Sequence, residues 1–158
     1  MSLATDSIFV AALKSNADLV GLLGGSASEG KPGRIYGTTI PLPDEELVNT
    51  PVPYVLVTFD GLNNDIESKD SAYESGYDHV NIGIGVVART LKDLHELTEM
   101  VRSTILGYFR GNDTDVEDYQ LTADGIMYDQ LKPCYWQVLR YLCDVRLFDT
   151  EDDGQEED

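Results

Sequence analysis

Between residues 80 and 88 the chain alternates strictly. Val80, Ile82, Ile84 and Val86 fall on one side, Asn81, Gly83, Gly85 and Val87 on the other. Period two sends successive side chains to opposite faces, so the spacing predicts a half-buried strand from His79 to Ala88. The period then changes. Leu94, Leu97, Val101, Ile105 and Tyr108 recur at three- and four-residue steps, which predicts a helix from Leu91 to about Phe109 with one apolar stripe laid across the sheet. Thr90, with Asp93 three residues on, supplies its N-cap.

Two further alternating runs frame this strand–helix unit. In "NTPVPYVLVTFDG" Tyr54, Leu56 and Thr58 oppose Val55, Val57 and Phe59, and Pro51 and Pro53 fix the start of the strand. Near the C-terminus Leu139, Tyr141, Cys143, Val145 and Leu147 share one face, while Trp136, Val138, Arg140, Asp144 and Arg146 share the other. Segments 119–128 and 135–148 read as a closing hairpin. At the N-terminus, 6–23 reads as a helix interrupted near Ser15, with Asn16 capping a second short turn and Ile8, Ala11, Ala12 and Leu19 facing the core. "GGSASEGKPG" is a loop on composition, and "RIYG" a short strand. Helix, strands, helix, strands is the order of an α+β domain: an antiparallel or mixed sheet of about four or five strands with helices packed on one face.

Length and charge narrow the picture. At 158 residues the chain is expected to form one domain, residues 1–148. Eleven basic against 29 acidic residues give a net charge of −18. The last ten residues, "DTEDDGQEED", hold seven of the acids and are expected to be a disordered, solvated tail; the body still carries 22 acids against 11 bases. A surface this negative repels phosphate backbones, so stable nucleic-acid binding is not expected. The N-terminus has no basic region or cleavage site and no apolar run reaches spanning length, so neither signal peptide nor membrane partner is expected. Cys134 and Cys143 fall in or beside one predicted strand, where they cannot bridge each other, and read as free thiols of a reducing cytoplasm.

Several motifs invite a chemistry that their context refuses. Gly83, Gly85 and Ala88 have the spacing of a dinucleotide fingerprint, but that motif needs its glycines in the turn between strand and helix, and here they lie inside the strand. Gly25, Gly30 and Lys31 match a phosphate-binding loop, yet Pro32 stands where a Ser or Thr would hold magnesium, and a helix precedes where a strand is required. Asp113, Asp115 and Glu117 begin like a calcium loop with Asp118 at the glycine position; Asp149, Glu151, Asp153 and Gly154 do better, but the sequence stops before a bidentate Glu. His79 and His95 form no local metal or base constellation. No catalytic residue, cofactor or metal is expected.

The order of elements itself is informative. A helix pair ending in "LVGLLGG", then "GRIYG", then "PVPYVLVTFDG", then a strand running into "ARTLKDLHELTEMVRSTI" and a final hairpin resembles the tail terminator, or tail-completion, proteins of long-tailed bacteriophages and prophages, over residues 6–148. The resemblance implies a non-enzymatic virion tail protein, made in the bacterial host cytoplasm. Its copies would assemble into a ring, usually a hexamer, that caps the tail tube, stops its growth and joins it to the head-completion or connector protein.

Under that reading Gly83 and Gly85 thin one sheet face so that an adjoining subunit or the tube can approach, the alternative being a packing adjustment within the monomer. The loop from Leu62 to Tyr77 is polar and expected to be mobile in the free protein, with Ile66, Tyr73 and Tyr77 as apolar anchors that dock on a neighbour or the tube. DNA passes through such a ring without being held, and carboxylates facing the lumen repel it; Asp113, Asp115, Glu117 and Asp118 are the candidates. Two other classes share some features. A DNA-mimicking acidic binding module needs acids in regular rows on a folded surface, whereas many here lie in tail and loops. A small hydrolase needs convergent polar residues, which the sequence does not assemble.

Overall fold

The computed structural model describes residues 2–38, 51–64 and 76–147. The acidic segment 149–158, and with it the expected disorder of the tail, lies outside the described residues, as do Ile66 and Tyr73.

After one 3-10 turn (Ser2–Ala4), helix α1 runs over Thr5–Lys14 and α2 over Ala17–Leu22. The break falls at Asn16, whose side chain accepts from the backbone N–H groups of Asp18 and Leu19 and so caps α2. Its Nδ2 also donates to Thr104 Oγ1 at 2.8 Å, which fixes the break against the long helix. Within α1 the core-facing residues are Phe9, Ala12 and Leu13; Ala11, expected inside, is exposed and Ile8 only partly buried. The six consecutive apolar residues 8–13 leave the helix phase open, and tertiary packing chose the face with the largest side chains.

Helix α2 ends in a glycine cap rather than a phosphate loop. Gly24 takes φ +83°, with its N–H donating to Gly21 and that of Gly25 to Val20, so both glycines satisfy helix carbonyls. The chain then enters β1 (Ile35–Thr38), β2 (Tyr54–Asn63) and β3 (Tyr77–Ala88). Thr90 Oγ1 accepts from Asp93 N and starts helix α3 (Leu91–Gly111), whose Leu94, Leu97, Val101 and Ile105 are buried with Tyr108 at the margin. Strands β4 (Val116–Ala123), β5 (Met127–Asp129) and β6 (Cys134–Arg146) close the chain.

The sheet order is β1-β2-β3-β6-β4, with β5 extending along β6. Only β1 and β2 are parallel; the other pairs are antiparallel, so the sheet is mixed. All three helices cover one face. The core lies between the layers: Val55, Val57, Val80, Ile82, Ile84, Val86, Leu139, Tyr141, Cys143 and Val145 from the sheet meet Phe9, Leu13, Leu19, Leu94, Val101 and Ile105 from the helices. Each fully buried aliphatic or aromatic group contributes about 1.5–3 kcal/mol relative to exposure, which is what holds a two-layer domain together. No helix among the described residues is long and apolar enough to cross a membrane.

Candidate assembly surface

Because the helices take one side, every second residue of β2, β3 and β6 faces away from them. Cross-strand register assembles these residues into rows. At the end where β3 stops and β6 starts, Met127, Trp136, Val87 and Tyr54 stand side by side across β5, β6, β3 and β2. The next row is Val138, Gly85, Leu56 and Tyr36. Tyr36 and Tyr54 meet edge to face at 6.1 Å. Along Gly85 the surface sinks into a groove of about 330 Å³, walled by Tyr54, Leu56, Val87, Trp136 and Val138, with Asp129 and Lys132 at its side. Met127 is 52% and Trp136 36% exposed. A contiguous apolar area on a sheet's open face is the kind of surface that marks an interaction site.

The two glycines behave differently. Gly85 is half-buried on the groove floor, and a Cβ there would meet only the Leu56 carbonyl oxygen at 3.9 Å. Gly83 lies between Thr58 and Arg140, and a Cβ there would run into the Asp60 carboxylate. Asp60 is the extra residue of a bulge between Phe59 and Gly61; it accepts from Thr58 Oγ1 at 2.8 Å and lies 3.9 Å from Arg140, which also pairs with Asp124 at 2.8 Å. Gly83 thus clears space for a charged bridge within the monomer, and Gly85 opens the groove. Both sit inside β3, well before the N-terminus of α3 at Leu91, so the dinucleotide geometry is absent.

Farther along the same face polarity rises. His79 Nδ1 lies 2.6 Å from Asp144 Oδ1. Asp118 stands opposite Asp144 in register, and Glu117 pairs with Arg146 at 3.2 Å. Asp113 and Asp115 are exposed in the connection just before β4, so the four acids singled out from the sequence gather at the β4 edge. Tyr77 opens β3 opposite Arg146 and is 41% exposed. The His79–Asp144 contact escaped the sequence reading because the partners are 65 residues apart and meet only through strand pairing. His95 is on the exposed side of α3.

Asp118 has its pKa raised, first by the side-chain hydrogen bond it shares with Asp144, then by burial and by repulsion from Asp144 and Glu117. A raised carboxylate contributes stability that is fully present below its unfolded pKa of about 3.9 and is lost as pH rises through the folded value. At neutral pH the two carboxylates therefore oppose each other. Asp118→Asn is expected to stabilise the chain at pH 7 by a few tenths of a kcal/mol, since the site is exposed and screened. Melting curves at pH 7 and pH 3 check this: the gain should be present at the first and vanish at the second.

Chemical reactivity is weak elsewhere. Cys143 is fully buried and its thiol is pushed up to about 12, chiefly by burial; Cys134, buried at the groove wall, is raised for the same reason. Both are free thiols that burial keeps protonated and poorly nucleophilic. Among the described residues no group of three or more His, Cys, Asp or Glu is arranged to hold a metal ion.

No family model and no curated protein matches the sequence. A chain from the virion of a native gene transfer agent particle has a similar structure, with a TM-score of 0.58 at 12% identity, covering 89% of this chain and 93% of that one. At that identity the likeness is one of fold.

Proposed function

We propose that this chain is a structural component of a phage-like particle and, more narrowly, a tail terminator. Its copies close into a ring of six that caps the tail tube and joins it to the head connector, without catalysis. The observation that carries the reading is the sheet face turned away from the described helices, with its largely apolar groove, displayed on a fold shared almost end to end with a chain of a gene transfer agent virion. In a ring, the groove over Gly85 receives a neighbouring subunit or the tube, and Tyr77, at the opposite end of β3, anchors a second contact together with Ile66 and Tyr73. Asp113, Asp115, Glu117 and Asp118 face the lumen, where a row of carboxylates lets DNA slide past.

Incubation with the tail tube protein, followed by light scattering and electron microscopy, tests the reading. Closed rings or capped tubes are expected, and a chain that stays monomeric and never binds tubes overturns it. Gly85→Val supplies the finer test. Valine suits a strand and meets open space here, so stability should hold within about 1 kcal/mol. Filling the groove should nevertheless weaken assembly tenfold or more, a loss of about 1.4 kcal/mol. Gly83→Val is the less clean variant because it also displaces Asp60.

A further inference from the structure

We infer that the connection from β1 to β2, residues 39–50, crosses the sheet on the face turned away from the described helices and lies over its β1–β2 side. This is a property of the single chain and goes beyond the ring reading.

β1 and β2 are adjacent and parallel, so the chain has to travel back along β1 before β2 can start. Thr38 ends β1 level with Thr58, four residues into β2. The return is about 13 Å at roughly 3.3 Å per residue, so residues 39–50 cover it with enough slack to cross a sheet face.

Handedness chooses the face. A connection between parallel strands of one sheet is right-handed in about 98% of cases. β3 and β4 form such a unit: both are antiparallel to β6, hence parallel to each other, and α3 joins them on the helical face. In the order β1-β2-β3-β6-β4 the chain advances the same way from β1 to β2 as from β3 to β4. But β2 is antiparallel to β3, so the first pair of strands points the opposite way. The same advance and the same hand on reversed strands require opposite faces. With α3 on one face, the connection from β1 to β2 belongs on the other.

The point of return has the matching side. Val52, just ahead of β2, is 8% exposed and forms a small buried cluster with Val87 and Cys134, with Tyr54 against it. These partners lie on the face away from the described helices: Tyr54 and Val87 are register partners in the apolar row, and Cys134 shares the parity of Trp136. The same part of the face is the better shielded one. Tyr36, Tyr54 and Leu56 are half-buried although Tyr36 stands on an edge strand, whereas Met127 and Trp136 on β5 and β6 are exposed. Residues 39–50 bring Ile40, Leu42, Leu47 and Val48, apolar groups whose burial there offsets the entropy lost in ordering the connection. The strip left for a neighbour is then the one over β3 and β6, with Gly85 on its floor and Trp136 in its wall.

NMR on the methyl-labelled full chain, dilute and without tube protein, tests this. Nuclear Overhauser contacts are expected from the methyl groups of Leu42, Leu47 and Val48 to the rings of Tyr36 and Tyr54. Val10, which sits over Gly37, and Leu22, beside Pro53, report the helical face. Contacts to these two instead, or to neither set, overturn the inference. Leu47→Asp supplies a second reading: the ring signals of Tyr36 and Tyr54 should shift while the methyl signals of Val10 and Leu22 stay. The opposite pattern, or no shift at all, overturns it likewise. Neither measurement depends on rings forming, so a failure here leaves the ring reading standing, and absent rings leave this result untouched.

Discussion

Replacing Phe9 with alanine is expected to destabilise the folded chain by about 3–5 kcal/mol, the range for large-to-small changes at a fully buried aromatic. Phe9 is 0% exposed. Its ring meets Phe109 at 5.1 Å and Tyr141 at 5.2 Å; Tyr119 in turn meets Phe109 at 5.9 Å and Tyr141 at 4.9 Å. One side chain thus links α1 to α3 and to β6, and through them to β4. Removing it leaves a cavity among rings that cannot collapse without losing their edge-on contacts. A domain of this size holds about 5–15 kcal/mol in total, so the melting temperature should fall by roughly 10 °C. Tyr141→Phe is the informative contrast. The Tyr141 hydroxyl is buried without a hydrogen-bond partner among the described residues, so deleting it removes an unsatisfied polar group while keeping the ring. That variant should melt at or above the parent temperature. Calorimetry on the two proteins checks both statements, and equal losses would mean that the rings do not carry the packing.

Much of this architecture was legible because local rules and tertiary packing agree. The alternation around Gly83 and Gly85 gave the strand and its two faces, Thr90 gave the start of α3, and Asn16 gave the break between α1 and α2. What the pattern does not contain is pairing. Nothing local in "RIYG" says that β1 runs parallel to β2, since residues 39–53 intervene between the strands. The short β5 was absorbed into a longer predicted strand because the break at residues 124–126 has no periodic signature. The phase of α1 was ambiguous for a related reason: apolar residues surround it, and only the sheet beneath decides that Phe9 and Leu13 point inward.

The candidate surface follows the same division. Its face was readable from parity, as was the thinness at the glycines. Its contents were not, because Trp136, Val87 and Tyr54 become neighbours only through register across three strands. The bridge over Gly83 depends on a bulge at Asp60, and bulges arise from the competition of two strands rather than from either sequence alone.

Trp136→Asp should then be the most damaging change for assembly while sparing the monomer. Trp136 stands in the middle of the apolar row, 36% exposed, between Met127 and Val87. Tryptophan is enriched among residues whose loss costs an interface 2–4 kcal/mol, and a carboxylate in its place would have to be desolvated against apolar neighbours. At 1.4 kcal/mol per factor of ten, assembly should weaken by roughly 30- to 1,000-fold. The monomer loses only a half-exposed contact and some strand propensity, about 1 kcal/mol. Leu106→Asp is the control for added charge: it places the same carboxylate at an apolar position, 38% exposed, on the helical side of the molecule. The chain also carries its own reporter, since Trp136 is its one tryptophan; burial of the indole in an interface should shift the parent's emission to the blue as rings or capped tubes form. Assembly that leaves this emission unchanged, or that Leu106→Asp weakens as much as Trp136→Asp does, would place the contact away from the open face.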